Sequence, residues 1–461
     1  MLKNIFKPIN NWIFVTGIII LFSVSSCQKF LDKKYSNRIT TPQTVKDLQA
    51  LLDDAAQVMN QKGTPSLGET AADDYYILPD RYGSMNEMLQ AAYQWKSYDY
   101  LYPNDWSICY APVYNANYCL EILDNIAQSE DPATWNNVKG SAHFFRGYYF
   151  LMLSWVYAKA FDEATADAAP GIVLRLSSDF NIPSERATIR QSYNQVIDDV
   201  KTSLAYLPER ALHPFRPSRL AAFGLLARTY LSMSMYDSAL VYADQYLKLK
   251  SELIDLNGDE DLGPLSATYK FRQFNKETTF YTEMNATATI SLLLTSRSRV
   301  DTMLFATYED NDLRKLYYFR MMSGYPAYAG SYAGGSRQFT GIATDEIYLI
   351  RSEANCRAGN LELALTDLNE LLSHRYKTES FELFSSTNEA EVLDKILLER
   401  RKELLMRGLR WIDLKRLNKE GRNITPKRSI EGTIITLAPN SSYYALPIPY
   451  DIIQLTGIEQ N

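Results

Sequence analysis

Apolar residues recur every three to four positions over long stretches of the chain, a spacing that places them on one face of an α-helix. Segments of this kind dominate the sequence and predict a mainly α-helical fold. The predicted helices cover residues 103–128, 133–159, 190–206, 218–234, 236–248, 345–358, 361–376 and 389–418, the last as one long charged helix or a bent pair.

Two predicted helix pairs, residues 218–248 and 345–376, share a pattern of residue sizes. In the first pair Phe223 opens the first helix, and Ala239 is a small residue where the two helices would cross. Ala364 holds the corresponding place in the second pair. This pattern is typical of tetratricopeptide units. The sequence therefore predicts repeated helix–turn–helix units with long insertions between them.

Two insertions differ in character from the helices. Residues 60–104 are rich in Gly, Asp and Tyr, whereas residues 249–344 mix short β-like runs with a loop of Gly, Ser, Ala and Tyr. We predict that they build a loop-rich second lobe with short strands, packed on the helical scaffold. The β-like runs are residues 278–282 and 287–294, the loop is 323–339, and residues 419–461 are predicted to form an irregular cap.

The first 26 residues have the pattern of a bacterial lipoprotein signal peptide. Lys3 and Lys7 precede an apolar run, residues 12–24, which is shorter than the roughly 20 residues that span a bilayer. Two serines then precede Cys27. We predict that residues 1–26 are removed, that Cys27 is lipidated, and that residues 27–461 form the mature domain.

Charge argues against a nucleic-acid partner. The chain has 48 basic and 54 acidic residues; without Lys3 and Lys7 the mature chain has 46 against 54, a net charge of −8. Nucleic-acid binding rewards dense positive charge instead. Three cysteines remain after Cys27, an odd number that does not suggest a disulfide framework.

Many tyrosines fall in the insertions without helical spacing. A tyrosine has an apolar face and a polar tip, which suits a wet, concave site for a sugar. The alternative is that these rings pack the loops onto the scaffold. We predict that the two insertions border one ligand pocket. Its candidate residues are Asp73, Asp74, Tyr75, Tyr98, Tyr100, Tyr325, Tyr328 and Tyr332.

Patterns for catalysis and metal binding are weak. Asp73 with Asp74 could supply the paired carboxylates of a glycosidase, but acidic runs are usually solvated loops. Residues 255–261 alternate like a calcium loop, yet lack the Gly and Glu of an EF-hand, and calcium there stays open. The charges at residues 399–413 are spaced for ion pairs on a helix surface. We expect no catalytic residue and no cofactor.

Several further segments occur in a characteristic order. They are residues 27–32, 106–121, 146–150, 183–199, 312–314, 399–404, 408–414, 446–449 and 460–461. In this order, and along nearly the whole mature chain, they resemble the SusD/RagB family of nutrient-binding lipoproteins.

This resemblance implies a scaffold of about four tetratricopeptide-like helix pairs. It also implies an outer-membrane lipoprotein on the cell exterior that sits as a lid on a SusC-like TonB-dependent transporter. Such a protein captures an oligosaccharide or, in some members, a peptide, and has no catalytic residues. A surface scaffold or adhesin is the alternative function. Acidic residues often follow the lipidated Cys in surface-exposed members, whereas Gln28 and Lys29 do so here.

We predict that Cys27→Ala abolishes membrane association. Stable attachment takes two or more acyl chains, each contributing about 0.8 kcal/mol per buried CH₂. The measurement is fractionation of cells that lack the transporter. If the variant still sediments with membranes after a high-salt wash, the lipid is not the anchor.

Overall fold

The structure is a computed structural model that describes residues 42–461. The predicted signal peptide and Cys27 therefore lie outside the described residues. Residues Val45–Asn461 form one compact unit, and helices predominate in it, as the periodicity predicts.

Every predicted helix is present, with ends that differ by a few residues. Residues 389–418 form two helices, because Met406 (φ 59°) and Gly408 (φ 77°) adopt left-handed backbone conformations between them. The α-helices are α1 (Val45–Leu52), α2 (Leu67–Ala71), α3 (Pro79–Tyr82), α4 (Glu87–Tyr93), α5 (Asp105–Leu123), α6 (Pro132–Tyr157), α7 (Ile189–Leu204), α8 (Arg219–Ser232), α9 (Tyr236–Leu249), α10 (Thr302–Ala306), α11 (Arg314–Tyr317), α12 (Thr344–Arg357), α13 (Leu361–Ser373), α14 (Glu389–Glu403), α15 (Arg410–Lys419) and α16 (Tyr450–Thr456).

Local side chains set the starts of the long helices. At α5 the Asn104 side chain accepts a hydrogen bond from the Ser107 amide, and the Ser107 hydroxyl oxygen accepts one from the Asn104 amide. Thr188 and Gln191 form the same reciprocal pair at the start of α7. These capping boxes satisfy amides that have no partner inside the helix, so the helix starts are encoded locally.

The helical scaffold is built from antiparallel neighbours. Helix α8 packs on α9, α12 packs on α13, and α9 in turn packs on α12. Ala239 and Ala364 are fully buried, as the predicted helix crossings require. The Ser352 hydroxyl donates to the Ala364 carbonyl at 2.7 Å, which ties α12 to α13 at that crossing.

One short two-stranded sheet joins the two insertions. Strand β1 of the first insertion pairs antiparallel with β5 of the second, and Tyr76 lies opposite Arg299. The pairs are β1–β5, β2–β3, β4–β8, β6–β7 and β9–β10. The strands are β1 (Tyr75–Ile77), β2 (Pro170–Val173), β3 (Arg186–Thr188), β4 (Thr278–Phe280), β5 (Ser298–Val300), β6 (Phe319–Met322), β7 (Tyr325–Tyr328), β8 (Ile342–Ala343), β9 (Lys427–Ile430) and β10 (Thr433–Thr436).

Two local predictions in the second insertion are wrong. Residues 287–294 contain a 3₁₀ helix, Ala288–Leu293, instead of a strand, and the Thr287 hydroxyl binds buried Asp105 at 2.6 Å. The predicted loop 323–339 begins with strand β7. Ser323 (φ 51°) and Gly324 (φ 83°) form the turn of the β6–β7 hairpin, where positive φ at both positions matches the twist of the strands.

The buried apolar residues form two clusters. The first lies among the long helices. The second, which we call the lobe core, draws on both insertions: Tyr93 comes from the first, and Ile254 and Tyr281 come from the second. The two insertions thus meet in one core, although more than a hundred residues separate them in sequence.

The charges at residues 399–413 form ion pairs, but most of them are buried, so their predicted location on a helix surface is wrong. Glu399 and Glu403 are buried and both accept from Arg314, which comes from the second insertion. Arg410 pairs with Asp73 at 2.7 Å instead of with Asp413. Burial would raise the pKa of Glu399, but Arg314 and Lys402 hold it well below its usual range. These ion pairs bind the lobe to the scaffold.

We expect Ala239→Leu and Ala364→Leu each to destabilise the fold by about 1–3 kcal/mol, because extra methylenes at a filled helix crossing force neighbouring atoms apart. Urea unfolding followed by circular dichroism measures this. Ala390→Leu, at an exposed position of α14, is the matched control and should leave the unfolding midpoint unchanged. Wild-type stability in both buried variants would contradict the proposed crossings.

Candidate functional site

A cavity of about 300 Å³ lies in the second lobe, and we call it the lobe cavity. One wall is the 3₁₀ helix and the residues after it, another is β5, and a third is the end of β7 with the loop that follows. Met406, from the left-handed link between α14 and α15, closes one side. The remaining lining residues include Ile290, Leu293, Leu294, Thr295, Ser298, Arg299, Tyr328, Ser331, Ser336, Arg337 and Gln338.

The loop over the lobe cavity is held by its own hydrogen bonds. The Ser331 hydroxyl oxygen accepts from the amides of Ala333 and Phe339, at 3.2 and 3.0 Å. Gly330 packs so closely on Tyr318 that an added Cβ would lie 2.7 Å from the Tyr318 Cα. Close backbone approach therefore explains part of the glycine content of this loop.

Polar side chains of β5 and of the residues just before it face the lobe cavity. Arg299 is buried and donates from Nη1 to the carbonyls of Thr295 and Ser298, at 2.6 and 2.7 Å. Arg320 donates to the Thr295 hydroxyl oxygen at 3.2 Å. Neither a carboxylate nor a histidine is among the described residues that line the cavity. The arrangement can bind a polar ligand, but it offers no carboxylate pair for acid–base chemistry.

Two predicted tyrosines fall at or beside this site. Tyr328 lines the lobe cavity, and its ring meets Tyr318 edge-on with centroids 6.4 Å apart. Tyr325, at the other end of β7, is 47% exposed and meets the ring of Tyr76 at 6.5 Å. The hairpin therefore presents one ring to the cavity and one to solvent.

Tyr332, one of the candidate ligand residues, is packed inside the lobe. It is 1% exposed, and the Arg407 guanidinium lies 4.1 Å from its ring centroid. Its hydroxyl donates to Glu277 at 2.7 Å. Tyr332 belongs to the lobe core, and its burial leaves no ring face for a ligand.

Asp73, Asp74 and Tyr75 are also engaged inside the protein. Asp73 accepts two hydrogen bonds from Arg410, at 2.7 and 2.9 Å, and Asp74 accepts one from Arg401 at 2.8 Å. Asp74 and Tyr75 are buried, and the Tyr75 hydroxyl donates to a backbone carbonyl. These side chains join the first insertion to α14 and α15, so their polar atoms are already used.

Tyr98 and Tyr100 form a separate aromatic contact. Their ring centroids are 4.8 Å apart, and both rings pack against the scaffold cluster. Neither residue lines the lobe cavity. Tyr98 and Tyr100 therefore do not line the same cavity as Tyr328, and a ligand contact at either ring stays a prediction.

Three carboxylates, Glu277, Asp345 and Glu403, converge within 4.8 Å in the described part of the chain. Arg375 donates to Glu277 and Glu403, at 2.8 and 2.7 Å, and Arg407 pairs with Asp345 at 2.7 Å. Burial raises the pKa of Glu277 to about 7. This group holds guanidinium ions and so resembles a structural ion-pair cluster more than a metal site.

The acidic run at residues 255–261 is likewise tied into the fold. Asp255 accepts from the Asn257 side chain at 2.9 Å, and Asp259 pairs with Lys276 at 2.9 Å. These contacts stabilise a turn. Whether calcium binds there stays an open prediction.

A larger cavity of about 430 Å³ lies against α5. Its most prominent feature is a stack in which the rings of Tyr114 and Phe180 lie 5.1 Å apart at 16°. Four aromatic residues line this cavity together with serines, asparagines and Arg175, and it lies outside both insertions. The lobe cavity is the one that lies in the second insertion, where the sequence predicts ligand contacts.

Sequence reasoning missed Arg299 and Arg337, the two cations that line the lobe cavity. A signal was present, since Arg297 and Arg299 alternate with serines in a run that contains no acidic residue, 295–300. Such a run is unusual in a chain with an excess of acidic residues.

Comparison with known families decides the identity of this fold. A family model described as "Starch-binding associating with outer membrane" matches residues 29–231, and a second, described as "SusD family", matches residues 301–461. The chain belongs to the SusD/RagB family. The SusD/RagB family comprises sugar-binding nutrient-uptake proteins that associate with the outer membrane and its transporters. Its members are binding proteins and not enzymes.

Solved structures of SusD/RagB proteins share this fold. A SusD superfamily protein from Bacteroides thetaiotaomicron is 20% identical, with a TM-score of 0.73 over 91% of this chain and 99% of its own. A putative sugar binding protein from Bacteroides vulgatus is 21% identical, with a TM-score of 0.73 over 92% and 99%. A SusD-like carbohydrate binding protein from the same species has 18% identity and a TM-score of 0.66 over 90% and 97%. Among curated proteins, none matches the sequence of this chain.

In residues 42–461 of this SusD/RagB protein, no helix has the length and apolar character needed to cross a membrane.

The buried carboxyl of Glu69, close in sequence to Asp73 and Asp74, gives a prediction about how stability depends on pH. Burial, and then the charge of Asp74, raises the pKa of Glu69 to about 8. The folded state thus favours the protonated carboxyl, and wild-type stability should fall as pH rises from about 4.5 to 8, by at most about 1.4 kcal/mol per unit. Glu69→Gln should remove this loss, because its amide oxygen can still accept from the Gly408 amide.

Urea unfolding at pH 5, 6, 7 and 8 measures the difference between the two proteins. The variant should equal wild type at pH 5 and exceed it at pH 8. If the two stability profiles stay parallel, Glu69 is ionised in the folded protein and the proposed shift is wrong.

Proposed function

We propose that this protein binds an oligosaccharide in the lobe cavity and delivers it to a TonB-dependent transporter of the outer membrane. Family membership supports the role in sugar uptake. The observation that carries the proposal is the lobe cavity itself, which combines an aromatic wall, hydroxyl groups and guanidinium donors in a rigid loop-built site.

The chemistry of the cavity suits a sugar. A pyranose ring offers apolar C–H faces and a rim of hydroxyls. Tyr328 supplies an aromatic surface, and Thr295, Ser298 and Ser336 supply hydroxyls that both donate and accept. The volume of about 300 Å³ lies at the lower end of the usual range for small-ligand sites, so we propose that one or two sugar units enter and the rest of the chain lies outside.

Two related structures support a carbohydrate ligand by their descriptions, one as a putative sugar binding protein and one as a SusD-like carbohydrate binding protein. Of the predicted site residues, we retain Tyr328 as a ligand contact and Tyr325 as a candidate at the exposed end of the same hairpin. Of the other predicted residues, Tyr98 and Tyr100 pack against the scaffold cluster, Asp73 and Asp74 form ion pairs with α14 and α15, and Tyr75 and Tyr332 belong to the lobe core.

The location and the partner complete the proposal. A lipid on Cys27 would hold the protein at the outer membrane, and we propose that the protein faces the cell exterior. A SusC-like transporter is the proposed partner, because proteins of this family associate with outer-membrane transporters. Affinity purification of the full chain from its native outer membrane should recover a TonB-dependent barrel in stoichiometric amount.

We expect Ser336→Trp to abolish oligosaccharide binding, because a bulky ring at the exposed rim would fill the lobe cavity without disturbing the lobe core. A glycan array followed by isothermal titration calorimetry, with the full-length chain in detergent, identifies the ligand and measures the affinity. The expected loss is at least about a hundredfold, which corresponds to about 2.7 kcal/mol.

Ser385→Trp is the matched control, since Ser385 is exposed in a loop of the scaffold, and it should bind like wild type. If Ser336→Trp binds the oligosaccharide with wild-type affinity, the ligand site lies outside the lobe cavity. Binding of peptides and of no glycan would assign the protein to the peptide-binding members of the family. Failure to bind either ligand would favour a surface scaffold.

A further inference from the structure

Uncompensated positive charge surrounds the lobe cavity. Arg299 and Arg337 line it, and Arg320 reaches it through its hydrogen bond to the Thr295 hydroxyl oxygen. Within residues 42–461, none of the three forms a salt bridge. The protein as a whole carries a net charge of −6, so three unpaired arginines at one cavity run against its general composition.

The partners of these arginines are neutral. Arg299 donates to backbone carbonyls only, those of Thr295, Ser298 and Met322. Arg320 has a buried Nε with no hydrogen-bond partner. Arg337 is exposed at the rim. Carbonyl oxygens satisfy N–H donors, but they do not neutralise a full positive charge.

A fourth cation lies in the same region. Lys270 is 4% exposed, and its ammonium donates to the Phe319 carbonyl at 3.0 Å. Burial, and then the charge of Arg320, lowers the pKa of Lys270. Its neighbour Tyr269 lines the lobe cavity. Lys270 and Arg320 therefore repel each other.

Most other buried arginines among the described residues are paired with carboxylates. Arg228 is paired with Glu346 at 2.5 Å, and Arg416 with Glu353 at 2.6 Å. Arg428 is a buried exception, but it lies over the rings of Tyr93 and Trp95, at 4.2 and 4.3 Å, and aromatic faces stabilise a cation. Buried charge is costly unless it is paired, so an unpaired group around an open cavity points to a partner from outside.

We propose that the ligand of the lobe cavity is an acidic oligosaccharide, whose carboxylate or sulfate groups pair with Arg299 and Arg337. This rests on the proposed function and deepens it. The exposed Arg337 guanidinium can donate two parallel hydrogen bonds to an oxyanion, and Arg299 can donate from Nη2, because its Nε and Nη1 already bind carbonyls. Tyr328 and the serine and threonine hydroxyls of the same cavity contact the sugar ring, which favours an acidic glycan over an acidic peptide.

Paired probes test the charge requirement with the full-length chain. An oligogalacturonide is compared with its methyl ester, which removes only the carboxylate charge. A heparin-derived oligosaccharide is compared with its desulfated form. Neutral oligosaccharides from starch and xylan, and an acidic oligoglutamate peptide, complete the set. Isothermal titration calorimetry at 50 and 200 mM NaCl gives the affinities.

At least one acidic oligosaccharide should bind at least about tenfold more tightly than its methyl-esterified or desulfated counterpart, the weakening expected when one charge-assisted hydrogen bond is lost. The preferred arm, carboxylate or sulfate, identifies the anion. Affinity should fall at the higher salt concentration, because screening weakens attraction to exposed charge.

Arg337→Gln should reduce the affinity for the acidic probe at least about tenfold more than it reduces the affinity for a neutral probe. Since Arg337 is exposed and unpaired, this change should not alter folding. Arg422→Gln removes the same charge from an exposed site on the scaffold and should have no effect on binding.

Three outcomes would overturn the inference. Each acidic oligosaccharide and its methyl-esterified or desulfated counterpart could bind equally well, with binding lost in Ser336→Trp. This result would support the sugar-binding function and refute the acidic class. Binding of oligoglutamate and of no glycan would refute both. Absence of binding by every acidic oligosaccharide would refute the acidic class, and the neutral probes would then decide the proposed function.

Discussion

The buried ion pairs between the α14–α15 segment and the second lobe are the interaction on which the rest of the structure depends. Arg314 reaches across from the lobe to Glu399 and Glu403 at 2.5 and 3.0 Å, and Arg410 reaches Asp73 of the first insertion. Loss of one partner in such a network would leave a buried charge, which is strongly destabilising. The network therefore fixes both insertions on one helical segment, and the lobe cavity forms beside that segment, at Met406.

The arginines of this protein have two kinds of partner. The kind of partner distinguishes structural arginines from those proposed to bind a ligand. At the joint between lobe and scaffold, guanidinium groups form salt bridges with carboxylates. At the lobe cavity, Arg299 and Arg320 meet carbonyl and hydroxyl oxygens and keep their charge available. A binding protein needs a fixed joint next to a cavity with unpaired charge. The joint holds the site in its binding geometry before the ligand arrives.

The helical part of the fold could be predicted from sequence because its signals are local. Periodic apolar residues, the capping boxes at Asn104 and Thr188, and the small residues Ala239 and Ala364 all act within a few turns of helix. The site could be predicted only in part. Tyr328 lines the lobe cavity, but Tyr332 and Tyr75 belong to the lobe core, because a tyrosine suits burial and exposure equally well.

The sequence by itself determined the helices, the insertions and the family, since each depends on short-range patterns or on their order along the chain. Only the tertiary structure decided which charges are paired. Asp73 meets Arg410 across 337 positions, and no local spacing encodes that choice. Whether a charged side chain is structural or free for a ligand depends on the partners that folding brings to it, and so the unpaired arginines of the lobe cavity became visible only in three dimensions.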